Sequence, residues 1–275
     1  MKRILLAFCT SFILTVTSVS FCFASENNLS SNDKETITVK SNSTFYKDSD
    51  GNYYVTQTLN EADLLKIEAN KTVQELKQDG YTSDEISEIK KFNSTLDSKE
   101  KYGNISYTIK YYKDPFKYSG GITYIKTSTT WSWSKTPIIV KTDLIGMTTS
   151  TDFAKYGSSS AHINYYKDGN KTLANKKVVN KTVKTKNSGE GTYIKIRMAR
   201  TFADSEGVYY GLGGSMTVNW RVSGNIKTVG LGSNYGHTKI KCTPSINFGT
   251  TGVSISFSPK NNISYGDEAY INVKR

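Results

Sequence analysis

From Lys101 to Arg275 apolar residues return at every second position, and this alternation restricts the fold more than any other feature of the chain. Ile105, Tyr107, Ile109 and Tyr111 alternate with Ser106, Thr108 and Lys110, and Ile194, Ile196 and Met198 alternate with Lys195 and Arg197. Ile246 and Phe248, then Val253, Ile255 and Phe257, alternate with Ser, Asn and Gly. A period of two sends successive side chains to opposite faces, so each run reads as a half-buried strand. Turn chemistry separates the runs at Ser119-Gly120-Gly121, Lys167-Asp168-Gly169-Asn170 and Ser188-Gly189-Glu190-Gly191. Pro115, Pro137, Pro244 and Pro259 fit at strand ends or edges, where no ladder N–H is needed. Parallel strands require long, usually helical crossovers, and no helical period separates these runs. The sequence therefore predicts a mainly β protein, an antiparallel β-sandwich or partly closed barrel over about residues 101–275.

The preceding residues read differently. Phe45-Tyr46-Lys47 and Tyr53-Tyr54-Val55 flank Asp48-Ser49-Asp50-Gly51-Asn52, which predicts a short hairpin turning at Asp-Gly. An EF-hand loop would place Gly sixth and Glu twelfth, whereas Gly51 is fourth and Leu59 twelfth from Asp48, so the turn reading stands. Asn60 is placed to cap a helix running to about Gln78, with Leu65, Ala69, Val73 and Leu76 in one stripe. Thr82-Ser83-Asp84-Glu85 forms a capping box for a second helix with Ile86, Ile89, Phe92 and Leu96.

Lys2 and Arg3 precede an apolar run from Ile4 to Val19, and Phe21-Cys22-Phe23-Ala24 follows. That layout predicts an export signal over residues 1–24, cut after Ala24, and hence a secreted, extracellular protein. Bulky Phe21 argues against lipid attachment at Cys22. Cleavage leaves Cys242 as the sole cysteine, in phase with Ile240 and expected inside as a structural thiol. The abundance of Lys, Asn, Ser, Thr and Tyr matches low-GC, Gram-positive bacteria.

Charge divides the mature chain into two parts. Residues 25–100 hold 15 acidic and 9 basic residues, and residues 101–275 hold 9 acidic and 25 basic ones. The organisation expected is thus a signal at 1–24, an acidic region with a hairpin and two short helices at 25–100, and a basic all-β domain at 101–275. The acidic region is a candidate pro-segment or a permanently docked subdomain.

The residues nominate no catalytic centre. His162 and His237 are the only imidazoles, neither lies in a metal-binding helix motif, and no Gly-x-Ser-x-Gly elbow occurs. No cofactor or metal is expected. Gly211-Leu212-Gly213-Gly214 and Gly230-Leu231-Gly232 open no helix, so they read as bulges or tight sheet packing rather than phosphate loops. Asp204 and Glu206 are the best-placed carboxylates for sugar hydrolysis, at a strand tip before Gly207.

The strongest chemical signal is cationic. Lys195 with Arg197, and Lys239 with Lys241, project from strands whose other face is apolar, and Lys176, Lys177, Lys181, Lys184 and Lys186 add a dense run. Most of the 19 Tyr and all three Trp share this basic half. Charge and stacking together hold anionic polymers and surfaces. The sequence expectation is a bacteriocin-like or toxin-like protein that binds an anionic cell-wall polymer or membrane surface, with no specific nucleic-acid partner. Lys195, Arg197, Lys239 and Lys241 would supply charge, and Trp131 and Trp133 aromatic anchorage. The alternation through Thr127–Ser134 fits a barrel strand in a membrane or an ordinary sandwich strand. A carbohydrate-binding module, a wall-acting hydrolase and a surface structural protein remain the alternatives.

Overall fold

The computed structural model describes residues 27–30, 36–39, 43–92, 102–112, 116–149, 153–186, 191–238, 243–249, 252–258, 263–265 and 269–274. The export signal, Leu96, Lys239, Lys241 and Cys242 lie outside the described residues.

In chain order the elements begin with strands β1 (Asn27–Ser30), β2 (Thr36–Val39), β3 (Thr44–Lys47) and β4 (Tyr53–Asn60). Three helices follow, α1 (Glu61–Ala69), α2 (Val73–Gln78) and α3 (Ser83–Lys91). Strands then continue through β5 (Asn104–Tyr111), β6 (Lys117–Ser119), β7 (Ile122–Trp133), β8 (Thr142–Thr149), β9 (Ala154–Lys155) and β10 (Ser160–Lys167). Next come β11 (Lys176–Lys181), β12 (Lys184–Lys186), β13 (Gly191–Arg197), β14 (Ala199–Phe202) and β15 (Ser205–Ser223). The chain closes with β16 (Thr228–Thr238), β17 (Thr243–Gly249), β18 (Gly252–Ser258), β19 (Ile263–Tyr265) and β20 (Ala269–Lys274).

Among the described residues, all of these strands except β17 and β18 form two antiparallel sheets that stack as a sandwich without closing into a barrel. The larger has the order β11-β10-β15-β7-β5-β4-β3, and the other β1-β2-β20-β16-β8-β13-β12. Their inner faces share one core, in which Tyr107 stacks near Tyr235 with ring centroids 6.3 Å apart. Several polar groups taken into this core are paired: Thr129 and Ser233 meet at 2.8 Å across the sheets, and Trp220 Nε1 donates to Thr127 Oγ1 at 2.8 Å.

The hairpin expected around Asp48–Asn52 is present as β3–β4, and it is part of the larger sheet. β4 pairs with β5 along its whole length, from Tyr53–Tyr111 to Asn60–Asn104. Asp48 organises the turn by accepting from the N–H groups of Asp50 and Asn52 at 3.0 and 2.9 Å, and from Tyr54 Oη at 2.8 Å. Its hydrogen bond from the Asn52 side chain leads the effects that bring the carboxyl down to a pKa of about 2.

The helices correct the sequence reading. Asn60 caps α1 by accepting from the Ala62 N–H at 2.7 Å, and Thr82 with Glu85 forms the expected capping box. The single helix expected to reach Gln78 instead breaks at Asn70–Thr72. Thr72 captures the Glu75 N–H, Glu75 caps the Thr72 N–H in return, and α2 starts afresh. Val73 consequently leaves the apolar stripe and is 46% exposed. Leu65, Leu76, Ile86 and Ile89 pack with Tyr81, Tyr102 and Ile139 into a second small core at the end of the sandwich. No helix among the described residues is long and apolar enough to cross a membrane, which says nothing of strands.

β17 and β18 stand apart. They pair with one another and with neither large sheet among the described residues. The hairpin lies alongside β16 and β8, and both of those strands are buried on both faces. Their core-facing residues include Ile145, Met147, Leu231 and Tyr235. The opposite face of β8 carries Leu144, Gly146 and Thr148, and that of β16 carries Gly230, Gly232, Asn234 and Gly236, a surface of mostly small groups beneath the hairpin.

Candidate membrane-binding face

The outer face of the larger sheet is an open surface built by strand register. Thr56, Thr108, Thr130, Ser215 and His162 lie side by side across β4, β5, β7, β15 and β10. Thr56 and Thr108 hydroxyls meet at 2.7 Å, Thr58 and Ser106 at 3.1 Å, and Ser215 reaches His162 Nδ1 at 3.2 Å. The face is thus hydroxyl-rich at its centre, where Lys171 Nζ also donates to Ser132 Oγ at 2.9 Å.

Toward one end the same face becomes cationic and aromatic. Tyr54 pairs with Lys110 across β4 and β5, and Lys110 Nζ sits 4.8 Å from the Tyr54 ring and 4.4 Å from the Tyr112 ring. Lys126 Nζ is 4.7 Å from that same Tyr112 ring. On β15, Arg221 is opposite Tyr124 and lies 5.0 Å from the Tyr156 ring, while the Tyr124 and Tyr156 rings are 5.4 Å apart. Such cation–π contacts hold the ammonium and guanidinium groups in place while leaving them charged. Burial works against the Lys110 charge, yet its hydrogen bond to Tyr54 and the charges of Tyr112, Tyr54 and Asp48 outweigh it and hold the pKa above the usual lysine value. A cleft of about 250 Å³ is lined by exposed Lys117, Tyr118 and Lys227 with Phe116 and Ile226.

The sequence-predicted site residues fare differently from this belt. Trp131 and Trp133 do share a face, but it is the inner one, where they are 2% and 0% exposed. They cannot anchor the folded protein to an outside surface. β7 lies between β15 and β5, with its Trp residues on the face packed against the other sheet and Thr130 and Ser132 exposed on the open face. Trp133 Nε1 donates to Tyr235 Oη at 3.1 Å, and Tyr235 donates in turn to Asp143 at 2.5 Å. Lys195 and Arg197 do project together from the outward side of β13, half-buried and exposed respectively, with Lys195 opposite Leu144. The dense Lys run falls on β11 and β12, at one edge of each large sheet. Charged edge strands block pairing with further chains, so a structural reason accounts for that run. Sequence reasoning missed Lys110, Lys126 and Arg221, whose signal was a cation alternating with hydroxyls beside a Tyr-rich strand.

Of the groups considered for catalysis, His237, His162 and Asp204 are each held by neighbouring groups in the fold. His237 lies within β16 and is buried with its Nδ1 3.0 Å from both Asp143 oxygens. Nothing can reach that pair without opening the core. His162 is held toward the neutral imidazole, first by burial and then by the nearby Lys176 charge. Asp204 is ion-paired to Lys177 at 2.6 Å, and the Lys177 hydrogen bond leads the effects that keep its carboxyl below the ordinary range. An ionised Asp204 is a poor proton donor for glycoside cleavage. Gly214 fits the tight-sheet reading, since a Cβ there would run into the Trp131 indole and the His162 carbonyl. Across from Gly211 and Gly213, the register shifts between Asn164 and Tyr165, marking a bulge.

No protein-family model matches the chain, and no curated protein matches it in sequence. Among solved structures, it is similar to one described as a pore forming protein, at 9% identity and a TM-score of 0.31, covering 84% of this chain and 95% of that one. Clostridium perfringens delta-toxin is matched at 5% identity and a TM-score of 0.23, over 90% of this chain and 95% of that one. The KRT10-binding region domain of the pneumococcal serine rich repeat protein PsrP is matched at 14% identity and a TM-score of 0.23, over 48% of this chain and 77% of that one. At such scores these likenesses are loose, and the functional reading below rests on the chain's own residues.

Proposed function

We propose that this is an exported, toxin-like protein that docks on an anionic membrane surface. The observation that carries the reading is the belt in which Lys110, Lys126 and Arg221 stand among Tyr54, Tyr112, Tyr124 and Tyr156 on the open face of the larger sheet. Aromatic side chains sit well at headgroup level, and each basic residue near an anionic leaflet contributes roughly 1 kcal/mol. Lys117 and Lys227, flanking the cleft beside Tyr118, extend the positive surface toward a headgroup phosphate. Residues 25–275 hold 34 basic and 24 acidic residues, a net charge of +10 that favours approach to such a surface before any contact forms.

Cosedimentation of residues 25–275 with vesicles tests this. Binding is expected to phosphatidylglycerol-containing vesicles and not to phosphatidylcholine alone, and to weaken steeply with salt. Replacing Lys110, Lys126 and Arg221 together by Ala should lower affinity about 100-fold, the equivalent of roughly 3 kcal/mol. Binding indifferent to salt and to the triple change contradicts the reading. Retention instead on purified teichoic acid, with no affinity for anionic vesicles, would move the target to the wall.

The hydroxyl rows favour a second reading, an extracellular carbohydrate-binding module. Thr56, Thr108, Thr130 and Ser215 offer hydroxyls beside aromatic rings, as sugar recognition needs. Salt-independent retention on cell-wall glycan is its expected signature.

A further inference from the structure

The β17–β18 hairpin has a chemistry unlike the rest of the chain. Residues 242–259 contain no Asp, Glu, Lys or Arg, in a protein where 22% of residues are charged. Register divides the hairpin by face. Pro244 pairs with Phe257, Ile246 with Ile255 and Phe248 with Val253, so these apolar positions share one face. Thr243 pairs with Ser258, Ser245 with Ser256 and Asn247 with Ser254, so the other face is polar and uncharged. An apolar face against a neutral polar face is the pattern of a strand pair with lipid on one side and water on the other.

A second observation concerns continuity. β16 pairs with β19, and Thr238 is opposite Ile263; β17 pairs with β18, and Thr243 is opposite Ser258. Five residues forward in one strand match five residues back in the other. The two ladders therefore share one register, and residues 236–249 can align with residues 252–265 as one hairpin without any slip. In sequence the apolar alternation continues back through Cys242 to Ile240. The uncharged run on each strand, Cys242–Gly249 and Gly252–Pro259, is eight residues long, close to the roughly 9–11 residues of a membrane-spanning strand. Lys239, Lys241 and Lys260 flank the uncharged stretch, where ammonium groups can meet headgroups.

We infer that β17–β18 is the membrane-crossing element of this protein, an inference that rests on the membrane-docking reading above. Among the described residues the hairpin lies along β8 and β16 and pairs with neither. Release requires no ladder hydrogen bond of the two large sheets to break. Once released, the hairpin can continue β16 and β19 into the bilayer in that shared register. A lone hairpin would leave both edges unsatisfied in hydrocarbon, so several copies must close a barrel. With two strands from each copy and about eight strands as the smallest such barrel, at least about four copies are needed.

A fluorophore scan tests this on the full mature chain. In a Cys242→Ser background, Ser245→Cys, Ile246→Cys, Asn247→Cys and Phe248→Cys each carry an environment-sensitive NBD label, with Ile255→Cys and Ser256→Cys repeating the comparison on the return strand. Circular dichroism shows that each variant is folded. With phosphatidylglycerol-containing vesicles, labels at 246, 248 and 255 should shift to the blue and be quenched by nitroxide lipids, while those at 245, 247 and 256 should not. Cosedimentation is read on the same samples. Vesicle-bound protein without this alternation overturns the insertion and leaves surface docking standing. Failure of the unlabelled protein to bind at all overturns both.

Discussion

The molecule contains two hairpins of similar size that differ in every way that matters for their use. β3–β4 is joined to its sheet: β4 pairs with β5 over its full length, and Tyr53 is buried between Phe45 and Tyr111 at centroid distances of 5.9 and 6.0 Å. Its turn is tied by Asp48, whose carboxylate gathers backbone and side-chain donors. β17–β18 has no charged residue and pairs only with itself among the described residues. In sequence, Gly249-Thr250-Thr251-Gly252 joins its two strands. The first hairpin is an edge of the core, and the second is laid on a finished sheet. Loss of the one should unmake the fold, and loss of the other should remove only an activity.

The largest effect expected separates them directly. A chain of residues 101–275 lacks β1, β2, β3, β4 and all three helices, baring one edge of β5, one edge of β20 and the apolar cluster around Tyr102 and Ile139. It should show no cooperative unfolding by calorimetry. Excision of residues 243–258, with Asn-Gly in their place, should retain cooperative unfolding, and collapse of that variant would refute the distinction. A smaller effect sharpens the comparison within one residue type. Tyr53→Ala should destabilise the protein by about 3–5 kcal/mol in denaturant titrations, in the range for losing a buried aromatic ring. Phe248→Ala should cost far less than that. Equal costs would mean that the second hairpin is also part of the core.

The smallest effect is the acid response of the first turn. Asp48 has its pKa lowered from the ordinary 3.8 to about 2. A depressed carboxyl stabilises the fold when ionised, so its contribution is complete above pH 3.8 and is lost as pH falls toward 2. Asp48→Asn should therefore flatten the stability profile in that window and leave it unchanged in shape above. An unaltered profile would show that the turn does not depend on the carboxylate.

What could be read from the sequence was local. The Asp-Gly turn, the Asn60 cap and the Thr82–Glu85 box are decided by residues within a few positions of each other, and all three are as expected. The alternation gave the antiparallel sandwich because a period of two has few other uses. The break at Thr72 was missed because the apolar stripe continued through it, while a reciprocal pair of caps favoured stopping. Alternation also says that Trp131 and Trp133 share a face without saying which face is covered; that depends on β16, whose Tyr235 takes the Trp133 N–H from a hundred residues away. The cationic belt was hidden for the same reason, since Tyr54, Lys110 and Lys126 come together only through pairing of β4, β5 and β7. Ile246, Phe248, Val253, Ile255 and Phe257 were visible as alternating residues, but the shared register with β16–β19 could be seen only once both ladders were in place.

Dye release from phosphatidylglycerol-containing vesicles, compared between residues 25–275 and the same chain lacking 243–258, tests the central claim most directly. The account predicts leakage by the intact chain, none by the shortened one, and equal cosedimentation of both with the vesicles. Equal leakage by the two chains, or vesicle binding by the intact chain with no leakage, would contradict it.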